Sequence, residues 1–327
     1  MDLKENQYYN WLFTNYIQLY GRNVFTTDYY VDYYVTPEKD GLFYTIHSLL
    51  DYTNIDPALL VESGADMVRF IKTCINHGKY VEIRNLNEYY VEGSPAYGTE
   101  TYYHKNLVFG WDDDNLYLLG QAGHVKLWKI KHSDLMRALD CEEGQLNIFT
   151  LNSIDSYYAL NIDTIKDLLY EYWKGIDTNR RMEFIIPYGR QDERSVKSDP
   201  NSIARDQLPI FNNIYGMKIY DLFLENPRMF EYLLDDKRIP YFIYEHKKIM
   251  RDRVDFLRCK NHIIEEVSDQ VAASADTVLN TARVLLNRCL KYQIAPKDSD
   301  RTRIKEVLRE LKQLENQFYP QLIESLM

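Results

Sequence analysis

YYHKNLVFGWDDDNLYLLG, residues Tyr102 to Gly120, reads as two strands folded back on one another. Leu107, Val108 and Phe109 make the first strand and Leu116 to Leu119 the second. Between them, Asp112-Asp113-Asp114-Asn115 is a run of turn formers. His104 stands at the entrance of the first strand, where a rigid element aims an imidazole at a cleft. Upstream, Lys79-Tyr80-Val81-Glu82-Ile83-Arg84 alternates polar and apolar residues and supplies the preceding strand. Asn87 to Thr101 is a loop holding Gly93, Ser94, Pro95 and Gly98, and loops of that length beside a cleft often carry function. Val125 to Ile130 reads as a further strand, followed by a short helix, Asp134 to Leu139, capped by Ser133.

Outside this region the helical signals are stronger. Leu12, Tyr16, Leu19 and Tyr20 share one face of a helix over residues 7 to 20, with Gly21 as its stop. Residues 22 to 55 are tyrosine-rich loop and short strand. Asp56-Pro57 opens a helix ending at Gly64, and Met67, Phe70, Ile71, Cys74 and Ile75 form the stripe of the next, ending at Gly78. Asn161 caps a helix to Trp173 that Gly175 stops. Residues 188 to 208 are polar and aperiodic, a lid or an inert insertion. Short helices follow at Ile219 to Leu224 and Met229 to Leu234. The last third then predicts three long helices (Ile239 to Arg258, Asn261 to Tyr292, and one capped by Ser299 or Asp300) packed as an antiparallel bundle.

The chain has 327 residues, with 45% hydrophobic and 27% charged, enough for one large or two modest cores. Its net charge of −10 disfavours nucleic acid as a partner, and repels an acidic protein unless a local basic patch receives it. The 29 tyrosines, many in pairs, suit half-buried strand positions, a wet cleft or an interface, which leaves room for a homodimer. The four cysteines are widely spaced and show no metal-ligand pairing. No apolar run spans a membrane and no signal-peptide core opens the chain, so the reading is cytoplasmic and reduced. Asp112 to Asp114 lacks the spaced ligands and glycine of a calcium loop, and no glycine-rich phosphate cradle is present. No metal and no cofactor is expected.

His104, Gly110, Trp111 and Asp112 carry a resemblance. A histidine opening a strand that runs into a Gly-aromatic-Asp-acidic turn resembles the histidine half of papain-like folds. The nearest likeness is to the butirosin-type acyltransferases, with the bacteriocin-processing peptidases further off. A second phrase, Tyr244-Glu245-His246-Lys247-Lys248-Ile249-Met250 with Arg253, Leu257 and Leu290-Lys291-Tyr292, resembles companion proteins of nonribosomal peptide and polyketide gene clusters. The resemblance implies an α+β fold: a papain-like part over 1–150 and a mostly helical part over 151–327. It implies acyl transfer from a thioester on an acyl or peptidyl carrier protein to an amine or peptide substrate, in natural-product biosynthesis. His104 is then the general base. The family's cysteine slot, at the start of the first core helix, falls at Tyr8, Tyr9 or Asn10, and none is cysteine. The residue that orients the histidine falls near Gln121, which can hydrogen-bond an imidazole but brings no charge. Tyr8, Tyr9, Asn10, Tyr103, Gln121 and His246 are the expected substrate-binding residues. His246, on the face of Phe242 and Met250, reads either as a core or interface histidine or as a pocket wall. The alternative to an enzyme is a non-catalytic papain-like protein holding a peptide, product or carrier in the old cleft.

Overall fold

A computed structural model describes residues 7–22, 30–34, 50–121, 125–139, 144–151, 159–176 and 213–327. They form two compact units: Met1–Pro37 with Tyr158–Met327, and Glu38–Tyr157. The architecture is mixed α+β, with an antiparallel sheet and a helical C-terminal region. The units do not follow the expected division at residue 150. The N-terminal segment joins the helical unit because its first strand finds both hydrogen-bonding partners there, one of them at Asn213–Tyr215.

In the helical unit, α1 (Gln7–Asn15) gives way to β1 (Gln18–Arg22), which lies between β2 (Tyr30–Tyr34) and β10 (Asn213–Tyr215). Gly21 is therefore a strand residue and not a helix stop. α5 (Ile162–Lys174) keeps its expected ends: Asn161 accepts from the Thr164 amide, and Gly175 caps it in the left-handed region. α6 (Lys218–Glu225) and α7 (Pro227–Asp235) follow. Next come α8 (Arg238–Cys259), α9 (Glu265–Ile294) and α10 (Asp298–Ser325). The cap expected of Ser299 or Asp300 is absent: α10 starts after Lys297 with no capping side chain, so both residues lie within its first turn.

Pairing fixes their direction. Arg251 meets Asp276 and Arg258 meets Asp269, so α9 runs back along α8. Lys291 meets Asp300 and Ser274 meets Gln321, so α10 runs back along α9. A bridge between Ile263 and Leu326 closes the open end. Buried leucine, isoleucine, valine and alanine at helical spacing fill the interior, as the periodicity predicts.

The second unit is a seven-stranded antiparallel sheet in the order β3-β9-β4-β6-β7-β8-β5. Its strands are β3 (Leu50–Ile55), β4 (Lys79–Asn87), β5 (Val91–Glu92), β6 (Tyr103–Trp111), β7 (Asn115–Gln121), β8 (Val125–Lys131) and β9 (Gln145–Leu151). α2 (Pro57–Glu62) and α3 (Met67–Asn76) precede β4, and α4 (His132–Ala138) follows β8 without the side-chain cap expected of Ser133. Met67, Ile71 and Cys74 of α3 and Leu135 of α4 join Val81, Ile83, Val108, Leu116, Leu118, Trp128 and Ile130 in one core. Trp128 lies so flat over Gly120 that a Cβ there would stand 1.8 Å from the indole. Only glycine fits that position. The β6–β7 turn is built as read: Asp112 accepts the amides of Asp114 and Asn115 and the hydroxyl of Tyr117, and these bonds hold its carboxyl well below the usual range. The segment 188–208 lies outside the described residues.

Candidate functional site

The chemistry of the sheet unit gathers at the start of β6. β4 carries a bulge between Ile83 and Leu86, with Asn85 at φ 58°, a conformation asparagine tolerates better than most residues. The extra residue shifts the register so that Leu86 pairs with His104 and Asn87 with Tyr103. Such bulges re-aim side chains and recur beside active sites. Asn87 then caps a 3₁₀ turn, Glu88–Tyr90, by accepting the Tyr89 amide. That turn drives the Glu88 carboxyl under the sheet, where it is 2% exposed.

Glu88 is solvated by protein. Ser94 Oγ donates to Oε2 at 2.6 Å, and Asn106 Nδ2 donates to Oε1 at 3.2 Å. Ser94 in turn accepts the Ala96 amide, so the loop expected to be functional supplies the support of a carboxylate. His104 Nδ1 lies 3.4 Å from Glu88 Oε1. This nitrogen is shielded from solvent and makes no hydrogen bond among the described residues, although the side chain as a whole is 35% exposed. Tyr102 stacks on the imidazole at 5.8 Å, and Tyr89, Tyr97, Tyr102 and Tyr103 are all at least 38% exposed. The Nδ1 side of this partly exposed histidine therefore faces a buried carboxylate, the kind of partner that a general-base imidazole uses on that side.

The carboxylate nearest the imidazole is one the sequence did not single out. Glu88 lies beside Nδ1, whereas Gln121 closes β7 paired with Val125. Nothing marked Glu88 in the sequence except its place at the start of the loop.

The other expected site residues divide between the two units. Tyr103 and Gln121 lie with His104 in the sheet unit; Tyr8, Tyr9, Asn10 and His246 lie in the helical unit. Tyr8 is half exposed, Tyr9 stacks on Phe13 at 5.7 Å and touches Phe256 of α8, and the Asn10 carbonyl accepts from Thr14.

His246 is wholly buried and lines no open surface. Its Nε2 is 2.7 Å from the Ile17 carbonyl, so it is the protonated nitrogen, and Nδ1 accepts from Lys247 Nζ at 2.9 Å. The ring also stacks on Tyr172 at 4.7 Å. Burial, and then the adjoining Lys247 ammonium, push the imidazole well below its usual range.

A folded-state value depressed below about 6.5 means that the unfolded chain binds the proton first. Stability from this group is complete above pH 6.5 and drains away as pH falls below it. The expected loss is about 2 kcal/mol by pH 5, at roughly 1.4 kcal/mol per unit for one proton. Lys247, Arg253 and Tyr172 face the ring, and the first two are cationic, which disfavours the imidazolium. Denaturant titrations at pH 7 and pH 5 check this. The His246→Gln protein should show a smaller drop, and equal drops would refute the assignment.

Among the described residues no cysteine is a nucleophile at this site. Cys74 is buried in the α3 stripe with its thiol raised by burial, and Cys289 is pushed up to about 12 for the same reason. Cys259 is exposed in the last turn of α8, in the helical unit, and Cys141 lies outside the described residues. Among the described residues no group of histidine, cysteine, aspartate and glutamate could hold a metal, and no helix is long and apolar enough to cross a membrane. No protein-family model matches the sequence, and no curated protein is significantly similar to it.

Proposed function

We propose that the chain is a divergent acyltransferase on a papain-like scaffold, with His104 as general base and Glu88 as the residue that positions it. It takes an acyl group from a carrier-protein thioester and passes it to an amine. The amine nitrogen attacks the thioester carbonyl, the C–N bond forms and the C–S bond breaks. His104 Nε2 receives the proton from nitrogen and delivers it to the departing thiolate, so no external acid is consumed. A thioester is already activated, so the step needs no cysteine acyl-enzyme. The observation that carries this reading is the buried Glu88 carboxylate 3.4 Å from Nδ1 of a partly exposed histidine. The likeness of the His104-to-Asp112 turn to the butirosin-type family supplies the reaction class.

A second reading keeps the scaffold and drops the chemistry: a protein that binds a peptide, product or carrier. It is favoured by the burial of Cys74 and by tyrosine and asparagine at the nucleophile's expected position.

Intact-mass analysis of acyl-loaded carrier proteins, incubated with the protein and a panel of amines, separates the two. Amide formation that falls by 10²-fold or more in His104→Ala, with an unchanged circular dichroism spectrum, is the expected result. Carriers that stay loaded with every amine would leave only the binding reading.

A further inference from the structure

The face of β6, β7 and β8 away from the core carries an apolar row, partly exposed at Leu107 and Leu119 and open at Leu127. Leu107 pairs with Leu119, and Leu119 with Leu127, so the three side chains stand side by side across three strands. The opposite face of the same strands holds the buried Val108, Leu118 and Trp128. Leu127 is 73% exposed and its same-face neighbour Val125 is 68% exposed, the two most open apolar side chains among the described residues of the sheet unit.

Lysines flank the row on β6 and β8, while Glu82 faces Leu107 from β4. Strand β8 reads Val-Lys-Leu-Trp-Lys-Ile-Lys: three lysines and no acid in seven residues, in a chain of net charge −10. Lys129 is paired with Glu92 at 3.2 Å, whereas Lys105 and Lys131, on the face of the row, are exposed and make no ion pair among the described residues; Lys126 is exposed on the opposite face, with Trp128. β8 is also close to an edge, since β5 covers it only at Lys129 and Ile130. Lysines alone on such a strand would serve to keep it from pairing with other chains. An exposed valine and leucine between them do the opposite. An apolar centre with a charged rim is the anatomy of an interface.

We infer that this face is the docking surface for an acidic protein presenting apolar side chains ringed by carboxylates. On the acyl-transfer reading, on which this identification rests, that protein is the carrier bearing the acyl thioester. Charge complementarity names the occupant. A protein of net charge −10 repels acidic partners everywhere except where its lysines are concentrated. Lys105 follows His104 in β6, so the patch begins at the same end of that strand, on the opposite face of the sheet from the imidazole.

The test is fluorescence anisotropy of a labelled, phosphopantetheinylated but unacylated carrier protein titrated with the full chain. Saturable binding is expected, with a Kd that rises with salt, is at least about tenfold weaker in the Lys105→Glu/Lys131→Glu protein and is similarly weakened by Leu127→Ser. All three side chains are exposed, so circular dichroism should not change. Unchanged binding in these variants overturns the inference. So does binding of phosphatidylserine vesicles in place of carriers, which would make the patch a membrane contact. A sedimentation shift from dimer to monomer in Leu127→Ser, which would make it a self-association face, has the same consequence. Carrier binding through these residues without amide formation leaves the docking surface and removes the enzyme. Amide formation with binding indifferent to them does the reverse.

Discussion

Replacing Lys247 by methionine is expected to lower the stability of the helical unit by about 3–5 kcal/mol, the usual cost of stranding one partner of a buried ion pair. Lys247 and Glu315 are both fully buried, with Nζ 2.8 Å from Oε1. The ammonium also donates to the Tyr172 hydroxyl at 2.6 Å and to His246 Nδ1 at 2.9 Å, which uses all three of its protons. Glu315 receives hydroxyl protons from Tyr172 and Tyr220 as well, and burial followed by that carboxylate raises both phenols well above their usual range. The network ties α8, α10, α5 and α6 together, and through His246 it reaches the Ile17 carbonyl just before β1.

Removing Lys247 leaves a dry carboxylate facing two hydroxyls, with one imidazole nitrogen unsatisfied. The melting temperature should fall on the order of 10 °C. Coupling distinguishes this from loss of packing. The Lys247→Met/Glu315→Gln protein should recover part of the loss, because no uncompensated charge remains, and the two substitutions should be non-additive by more than 1 kcal/mol. Additive effects would mean that the pair is not the source. The network is a stability device and not a second active site, since none of its members is exposed.

The same network marks the boundary of what the sequence can disclose. The long helices were legible because their apolar residues recur at helical spacing, as did Ile304, Leu308 and Leu311. The β6–β7 hairpin was legible because Asp112 to Asn115 is a turn by local chemistry. Lys247, Arg253 and Glu315 were not. A charged side chain inside a polar helical stretch reads as solvated, and nothing local shows that its partner sits on another helix. Arg253 spends its guanidinium on the carbonyls of Phe13 and Tyr16, which no pattern within α8 announces. Residues 16 to 22 fail as a helix for a related reason. Tyr16, Leu19 and Tyr20 fit helical spacing, but the backbone partners of β1 come from β2 and from the distant β10 and outweigh local propensity. At the site, His104 was visible from its place at the start of a strand. Glu88 was hidden, because a bulge and a 3₁₀ turn bring it there and neither has a periodicity to read.

Glu88 is the residue on which the catalytic reading turns. Glu88→Gln keeps the side chain's shape, and its carbonyl still accepts from Ser94, so the 3₁₀ turn and the loop should hold and the protein should fold normally. What is lost is the negative charge facing Nδ1. A neutral amide no longer stabilises the imidazolium formed when Nε2 takes a proton, nor does it select the tautomer with the proton on Nδ1. The expected result is a fall in kcat for acyl transfer of 10²- to 10⁴-fold with KM nearly unchanged, because the carboxylate acts on His104 and not on the bound substrate.

Two further readouts exclude a purely structural role. Nitrogen-15 spectra of the imidazole should show Nδ1 protonated in the native protein and a mixture of tautomers in the variant. Glu88→Asp, which keeps the charge on a shorter arm, should restore part of kcat. If kcat and KM move together, or if Glu88→Asp is no better than Glu88→Gln while the fold is intact, Glu88 merely braces the loop. His104 would then have to act without a positioned carboxylate, and the case for a base at the start of β6 would rest on His104→Ala alone.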